Sequence, residues 1–408
     1  MPHLDSCAPR WAEVDLDAIV HNFREIKRLV GPQVAVMAVV KADAYGLGAA
    51  VVARELALTG VEWLGVTTLE EGIEIREAGV ETPILLFAPL LPFQIGRAVD
   101  YHLTPTIHTE AEGVMLARTA HLLGRPLRAQ LKVETGMHRT GLSPGEAAML
   151  AIALAQDPLL RISGIYTHLA AAMSRQNDDR AYTLQQYRKL MQVIDSLSSR
   201  GVMIPLRHIS NSAAVLAYPE LRLDLVRVGT LLYGQYPAPG LPRLLDLKDP
   251  WKVRARVLQV QELAGGGRIG YGRARTGRRR TRVAVVPLGF ADGFRMEPAS
   301  AQAGLRGLVK RWLQRRGWRR AVPEVRVAGR PAPVLGRPAM QLTMVDVTDI
   351  AEAQVGSLCE LTIRRTSLGR SVPRVYLRQG RPWRARTLLG EEPLTGKELQ
   401  LLAEEERS

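Results

Sequence analysis

The chain is 408 residues long, is 46% hydrophobic and carries a formal net charge of +15. That length and hydrophobic content predict about two domains with packed cores and exclude a disordered chain. With no apolar run of about eighteen residues, and with Cys7 and Cys359 at no metal-ligand spacing, no membrane span, metal site or disulfide framework is expected.

The N-terminus, MPHLDSCAPRW, lacks a secretory apolar region, so a cytoplasmic protein is expected. The first apolar run, 34–40, reads as a buried strand that ends at Lys41. A lysine at the mouth of a buried strand is costly unless it has a task. One task that suits a flexible amine is an imine with an aldehyde cofactor; the plainer alternative is a strand-end lysine reaching solvent. Further apolar runs follow at 63–67, 83–87, 103–107, 129–133, 162–167, 206–209 and 223–228. Between them lie helical patterns at 49–58, 69–78, 110–123, 145–155 and 181–198. Repeated β-then-α units over roughly 200 residues predict a closed parallel (β/α)8 barrel. An open doubly wound sheet would ask for fewer strands and a glycine-rich first turn, and no G-x-G-x-x-G follows the first run. Lys41, Glu134, Arg139, His168, Asn211, Ser212 and the segment Arg227-Val228-Gly229-Thr230 all fall just past, or at the end of, a predicted strand. A barrel gathers such residues on its carboxyl-terminal rim, where active sites form.

Pro237, Pro239, Pro242 and Pro250 mark a linker. Short β runs at 253–260, 282–286, 324–327, 344–347 and 358–363 then predict a mainly β domain, with an amphipathic helix at 305–314 and a surface helix at 395–406. The expected division is a barrel over 1–240, a β domain over 241–390 and a tail over 391–408. The positive charge is mostly arginine in the second half, densest at Arg278-Arg279-Arg280 and over 306–320. It matches no zinc-finger, RNP-like or basic heptad pattern, so a solvated basic face is expected rather than specific nucleic-acid binding.

The segment Val40-Lys41-Ala42-Asp43-Ala44-Tyr45-Gly46 resembles the pyridoxal-phosphate attachment motif of the alanine racemase family. Further stretches that resemble the family follow in order: Lys132-Val133-Glu134-Thr135-Gly136-Met137, His208-Ile209-Ser210-Asn211-Ser212, Arg227-Val228-Gly229, Gly270-Tyr271-Gly272-Arg273 and Gly289-Phe290-Ala291-Asp292-Gly293. The resemblance implies a (β/α)8 barrel followed by a β domain, pyridoxal 5'-phosphate as cofactor, and a homodimer. It implies interconversion of L- and D-alanine by two bases, supplying D-alanine for peptidoglycan.

On the same basis Lys41 is the cofactor lysine and one base. Tyr271 is the other, reaching the site from the second subunit. Tyrosine is a poor base at its unperturbed pKa of about 10, so nearby positive charge is expected to lower it. Arg227 matches the arginine that meets the pyridine nitrogen, with His208 orienting it, and His168 the residue beside the ring hydroxyl. Tyr45, Ser212, Gly229 and Thr230 match the phosphate cradle. Arg139 and Met340 match contacts to the substrate carboxylate, and Lys132 a lysine often carbamylated in the family. Phe290, Gln341 and Arg370 stand where the family's pattern has a tyrosine, an acid and a tyrosine. The alternatives are a racemase of the same fold for serine, lysine or arginine, a related decarboxylase, or a non-enzymatic basic protein. The joint presence of Lys41 and Tyr271 favours the racemase.

Overall fold

The computed structural model describes residues 9–271, 274–275, 279–296, 324–387 and 390–393. They form two units, one spanning Ala18–Asp249 and the other joining the residues up to Asp17 with those from Pro250 onward. The expected helices at 305–314 and 395–406, and the basic run 306–320, lie outside the described residues.

Strand β1 (Arg10–Asp15) belongs to the second unit. The first unit is built on β2 (Ala35–Val39), β3 (Trp63–Val66), β4 (Ile84–Leu86), β5 (Thr106–Ile107), β6 (Leu127–Lys132), β7 (Leu160–Tyr166), β8 (Leu206–His208) and β9 (Leu225–Val228). Pairing runs β4-β3-β2-β9 and β5-β6-β7-β8, parallel throughout. Two seams close the ring. Leu86 N donates to Thr104 O at 2.9 Å between β4 and β5. Asp224 N donates to Arg207 O at 3.1 Å, and Arg227 N to Ser210 O at 2.9 Å, between β8 and β9. The result is the eight-stranded parallel barrel expected from the repeat. Met37, Leu85, Tyr166 and Leu225 pack together as a buried cluster, the side-chain filling that makes such a barrel a core and not a pore.

The helices bury one face each. Asn177–Ser198 turns Thr183, Gln186, Leu190, Val193 and Leu197 inward at three- and four-residue spacing. It begins four residues before the apolar pattern does, because its first turn is acidic, with Asp178 and Asp179 suited to a helix N-terminus. Thr68 and Ser143 cap Leu69–Glu77 and Pro144–Leu154 reciprocally with Glu71 and Glu146. A helix not singled out from the sequence, Leu16–Val30, buries Leu16, Ile19, Phe23 and Ile26.

The second unit contains β10 (Trp251–Arg256), β11 (Gln259–Leu263), β12 (Arg268–Ile269), β13 (Ala274–Arg275), β14 (Thr281–Val286), β15 (Val325–Val327), β16 (Arg330–Pro331), β17 (Thr343–Asp346), β18 (Leu358–Leu361), β19 (Arg374–Arg378), β20 (Arg381–Thr387) and β21 (Gly390–Pro393). Its main sheet has the order β16-β15-β18-β10-β1-β19-β20-β21, beside β11-β14-β17 and the ribbon β12-β13. Val253, Val286, Leu288, Phe294, Val345 and Leu361 lie in its buried core. β1 was expected within the 1–240 barrel. Instead it pairs antiparallel with β10 and parallel with β19. A closed ring has no free edge to offer it. The single run expected at 253–260 is two strands, β10 and β11, that enter different sheets. Part of the basic character is neutralised locally: Arg279 donates to both Asp349 carboxylate oxygens, at 2.9 and 2.7 Å, and Arg280 pairs with Glu262 at 2.8 Å. Among the described residues no helix is long and apolar enough to cross a membrane.

Candidate active site

The carboxyl-terminal ends of the barrel strands surround a cavity of about 550 Å³. Lys41, Tyr45, Arg139, His168, Ser212, Arg227, Gly229 and Thr230 all line it, so those eight expected site residues are brought together. The described lining residues include the cations Lys41, Lys132, Arg139 and Arg227 and no aspartate or glutamate. Such a cavity selects for anions.

Lys41 lies two residues past the end of β2, after Val40. Beyond it, Ala42, Asp43, Ala44 and Tyr45 are all left-handed, with φ of 52°, 57°, 51° and 58°. Each such non-glycine residue costs roughly 1–2 kcal/mol, so the surroundings must hold the segment in place. Ala44 N donates to Val40 O at 2.8 Å, Gly48 N to Asp43 O at 2.9 Å, and Ala49 N to the buried Asp43 Oδ1 at 2.9 Å. The turn swings Tyr45 against Tyr233, ring centroids 4.8 Å apart, while Tyr233 Oη donates to Val39 O at 3.0 Å. Burial, and then the Arg139 guanidinium, push the Lys41 amine below the usual lysine range. Burial raises the Tyr45 phenol, which leaves a neutral hydroxyl at physiological pH.

Arg227, on β9, is buried. Its Nη1 donates to His208 Nδ1 at 2.8 Å; its Nη2 donates to Thr167 O at 2.8 Å and Ile209 O at 3.2 Å. The guanidinium lies over the Tyr166 ring, 5.0 Å from its centroid. Burial pulls its pKa down to about 10, so it stays charged at neutral pH. Since Arg227 can only donate, His208 Nδ1 must accept, and the ring proton sits on Nε2. That nitrogen is 2.8 Å from Gln130 Oε1. Burial, and then Arg227, keep His208 well below the usual histidine range. Gln130 has room because Gly164 faces it: a Cβ there would lie 2.9 Å from the Gln130 Cδ. His168 is held to about 3 by burial and by Arg227, Arg139, Lys132 and Lys41. Lys132 is brought down to about 8 by burial and then Arg139, and its Nζ donates to Thr140 Oγ1 at 2.5 Å.

At the other end of the cavity Gly229 N donates to Ser212 Oγ at 3.0 Å. A Cβ on Gly229 would sit 2.3 Å from Tyr45 Oη, so only glycine admits this approach. Asn211 Oδ1 caps the short helix Ser212–Ala217, accepting from Ala213 N and Ala214 N at 3.0 and 3.1 Å. Hydroxyls and amides from the ends of β8 and β9 thus converge where no carboxylate intrudes, which fits a phosphate group. The low-pKa amine of Lys41 fits attachment of an aldehyde. The residues present therefore fit pyridoxal phosphate.

Tyr271 and Met340 lie in the second unit, 74% and 63% exposed. There Phe290 N donates to Ala339 O at 3.0 Å and Ala291 N to Met340 O at 2.9 Å, which fastens the Phe290 and Met340 segments side by side. Gln130, Tyr166 and Glu71 were not picked out from the sequence. The signal for Gln130 was an amide set between the apolar Ala129 and Leu131 in the strand Leu127–Lys132.

Residues 14–237 match the family model described as "Alanine racemase, N-terminal domain", and residues 251–373 that described as "Alanine racemase, C-terminal domain". The alanine racemase of Desulforamulus reducens is 39% identical over 349 residues, 85% of this chain and 88% of its own. That of Halothermothrix orenii is 36% identical over 348 residues, 85% of this chain and 86% of its own. Among solved structures, alanine racemase from Clostridium difficile 630 is similar with a TM-score of 0.82 at 28% identity, over 93% of this chain and 98% of its own. Alanine racemase from Bacillus anthracis with bound L-Ala-P gives a TM-score of 0.78 at 26% identity, over 93% and 98%. With both family models matched in order and relatives aligned over most of their length, the chain belongs to the alanine racemase family.

Proposed function

We propose that the chain is a pyridoxal-phosphate-dependent isomerase that interconverts L- and D-alanine, providing D-alanine for peptidoglycan. The observation that carries this reading is the cavity itself: Lys41 and Arg227 open on one space lined by four cations and no carboxylate. Bound pyridoxal phosphate supplies the electron sink that lets the Cα–H bond of an amino acid break. Lys41 would hold the cofactor through Nζ and, once the substrate's amine has displaced it, its freed amine would take or return the Cα proton on one face. Tyr271 Oη does the same on the opposite face. Its exposure on its own unit fits a residue that serves a partner's cavity, so the working form is a homodimer. Arg227 would offer a permanent donor to the pyridine nitrogen and cannot give up its proton, which would temper the electron sink and limit transamination. Ser212, Gly229, Thr230 and Tyr45 would hold the phosphate, and His168 would contact the cofactor ring. Arg139 and the Met340 amide receive the substrate carboxylate. Two cysteines far apart in the sequence fit work in the cytoplasm.

The test is incubation with L-alanine in deuterium oxide, followed by chiral separation. D-alanine carrying deuterium at Cα is expected, and Lys41→Ala abolishes it. Unchanged chirality for alanine, with inversion of a larger amino acid in the same panel, would overturn the substrate assignment.

A further inference from the structure

Glu71 lies outside every motif used above, yet its carboxylate is the meeting point of three main-chain donors. Oε1 accepts from Ala42 N at 2.6 Å. Oε2 accepts from Thr67 N at 2.8 Å and Thr68 N at 3.1 Å. Thr67 and Thr68 follow β3. Ala42 is the first residue of the left-handed turn and the one after Lys41. On the other side of Lys41, Val40 N donates to Gly65 O at 2.9 Å. The main chain of the lysine is therefore pinned to β3 and its helix on both flanks, and Glu71 is the only side chain among the two pins. We propose that Glu71 is a positioning residue for Lys41: it bridges the mouths of β2 and β3, starts the left-handed turn that aims the lysine, and places a negative charge beside its amine.

The charge has a consequence. Two charged groups act on Lys41 from the elements around it, Glu71 from the helix Leu69–Glu77 and Arg139 from the loop after β6, while His168 after β7 is itself acted on by Lys41. His168 is neutral at physiological pH, so Glu71 alone opposes the depression that burial and Arg139 impose. The competing role is purely structural, since Glu71 also completes the capping box with Thr68. Thr68→Ala breaks that box from the other side and leaves the Ala42 bond in place.

The experiment measures two things on each variant: kcat and KM for alanine in the loaded enzyme, and the pH midpoint for acetylation of Lys41 by an anhydride in the cofactor-free protein, read by peptide mass spectrometry. Glu71→Gln should move the midpoint to lower pH and lower kcat about tenfold, as misplacing a reacting group does, with KM within about twofold. Glu71→Asp keeps the charge but not the reach, so the midpoint stays and kcat falls. Thr68→Ala should move neither. An unchanged midpoint in folded Glu71→Gln, parental kcat in Glu71→Asp, or the same changes in Thr68→Ala would overturn the proposal. If Glu71→Gln does not fold, Glu71→Asp and Thr68→Ala decide it alone. The proposal rests on Lys41 being the cofactor lysine. A borohydride-reduced label on another lysine of the parent protein would sink that reading, whereas a label on Lys41 with unaltered variants would sink this one only.

Discussion

At the residue scale, the cavity is governed by groups whose ordinary titration has been suppressed. Arg227, His208 and Gln130 form a directed chain, with Arg227 Nη1 donating to His208 Nδ1 and His208 Nε2 to Gln130 Oε1. An ammonium cannot span the acceptors on His208, Thr167 and Ile209 at once. Arg227→Lys should therefore lower kcat/KM by at least about tenfold, roughly 1.4 kcal/mol of barrier. Steady-state kinetics in both directions would check this, and parental kcat/KM would count against the role given to the guanidinium. His168 offers a pH test. Its folded-state pKa of about 3 lies below the ordinary value of 6.5. Between those values the unfolded chain binds a proton that the native one refuses, so stability is fully present above pH 6.5 and is lost as pH falls toward 3. Urea titrations of the cofactor-free protein should show this acid slope lessened in His168→Asn by roughly 1 kcal/mol per pH unit. An identical slope in the two proteins would show that His168 titrates normally.

At the scale of the element, the decisive pieces are short segments at strand ends. Expected strands and observed strands agree closely in the barrel because most are apolar runs bounded by polar residues, with β6 and β8 among the mixed exceptions. The left-handed turn at Ala42–Tyr45 was not legible, since alanine and tyrosine disfavour that conformation and aspartate adopts it only as a single residue. It exists because Val40, Glu71 and Ala49 leave the chain no other course. That turn and Gly229 make one unit, as Tyr45 Oη occupies the space a side chain at 229 would need. Gly229→Ala should displace Tyr45 and raise the dissociation constant for pyridoxal phosphate about tenfold or more, about 1.4 kcal/mol. Equilibrium dialysis against the cofactor-free protein measures it. Unaltered affinity would remove Gly229 and Tyr45 from the phosphate cradle. In the second unit, β19 and β20 went unread because Arg374–Arg378 and Arg381–Thr387 are rich in arginine, and only the pairing of β19 with β1, and of β20 with β19 and β21, makes them strands.

For the whole molecule, the proposed function draws Lys41 from one copy and Tyr271 from a second, residues that belong to different units of the chain. Lys41→Ala and Tyr271→Phe should each be inactive alone. Mixed and allowed to exchange subunits, they should regain roughly a quarter of parental activity, since half the dimers are mixed and each mixed dimer has one intact site. No recovery after exchange has been demonstrated by mass spectrometry would refute a shared site.

The sequence by itself determined the repeat of β-then-α units, the order of the strands and the rim on which Lys41, His168 and Arg227 meet. Hydrophobic periodicity and strand-end position are local properties, and a parallel barrel turns them directly into a shared face. The tertiary structure alone decided that Arg10–Asp15 leaves the barrel half of the chain for the sheet of the other unit, because a closed ring has no edge to receive it. It alone decided that Gln130 accepts from the N–H that Arg227 leaves on His208 Nε2, and that Glu71 holds the main chain beside Lys41. Those pairings join residues 78 and about 30 positions apart, and they follow from which strand ends the closed barrel makes neighbours, a relation no local pattern in the chain records.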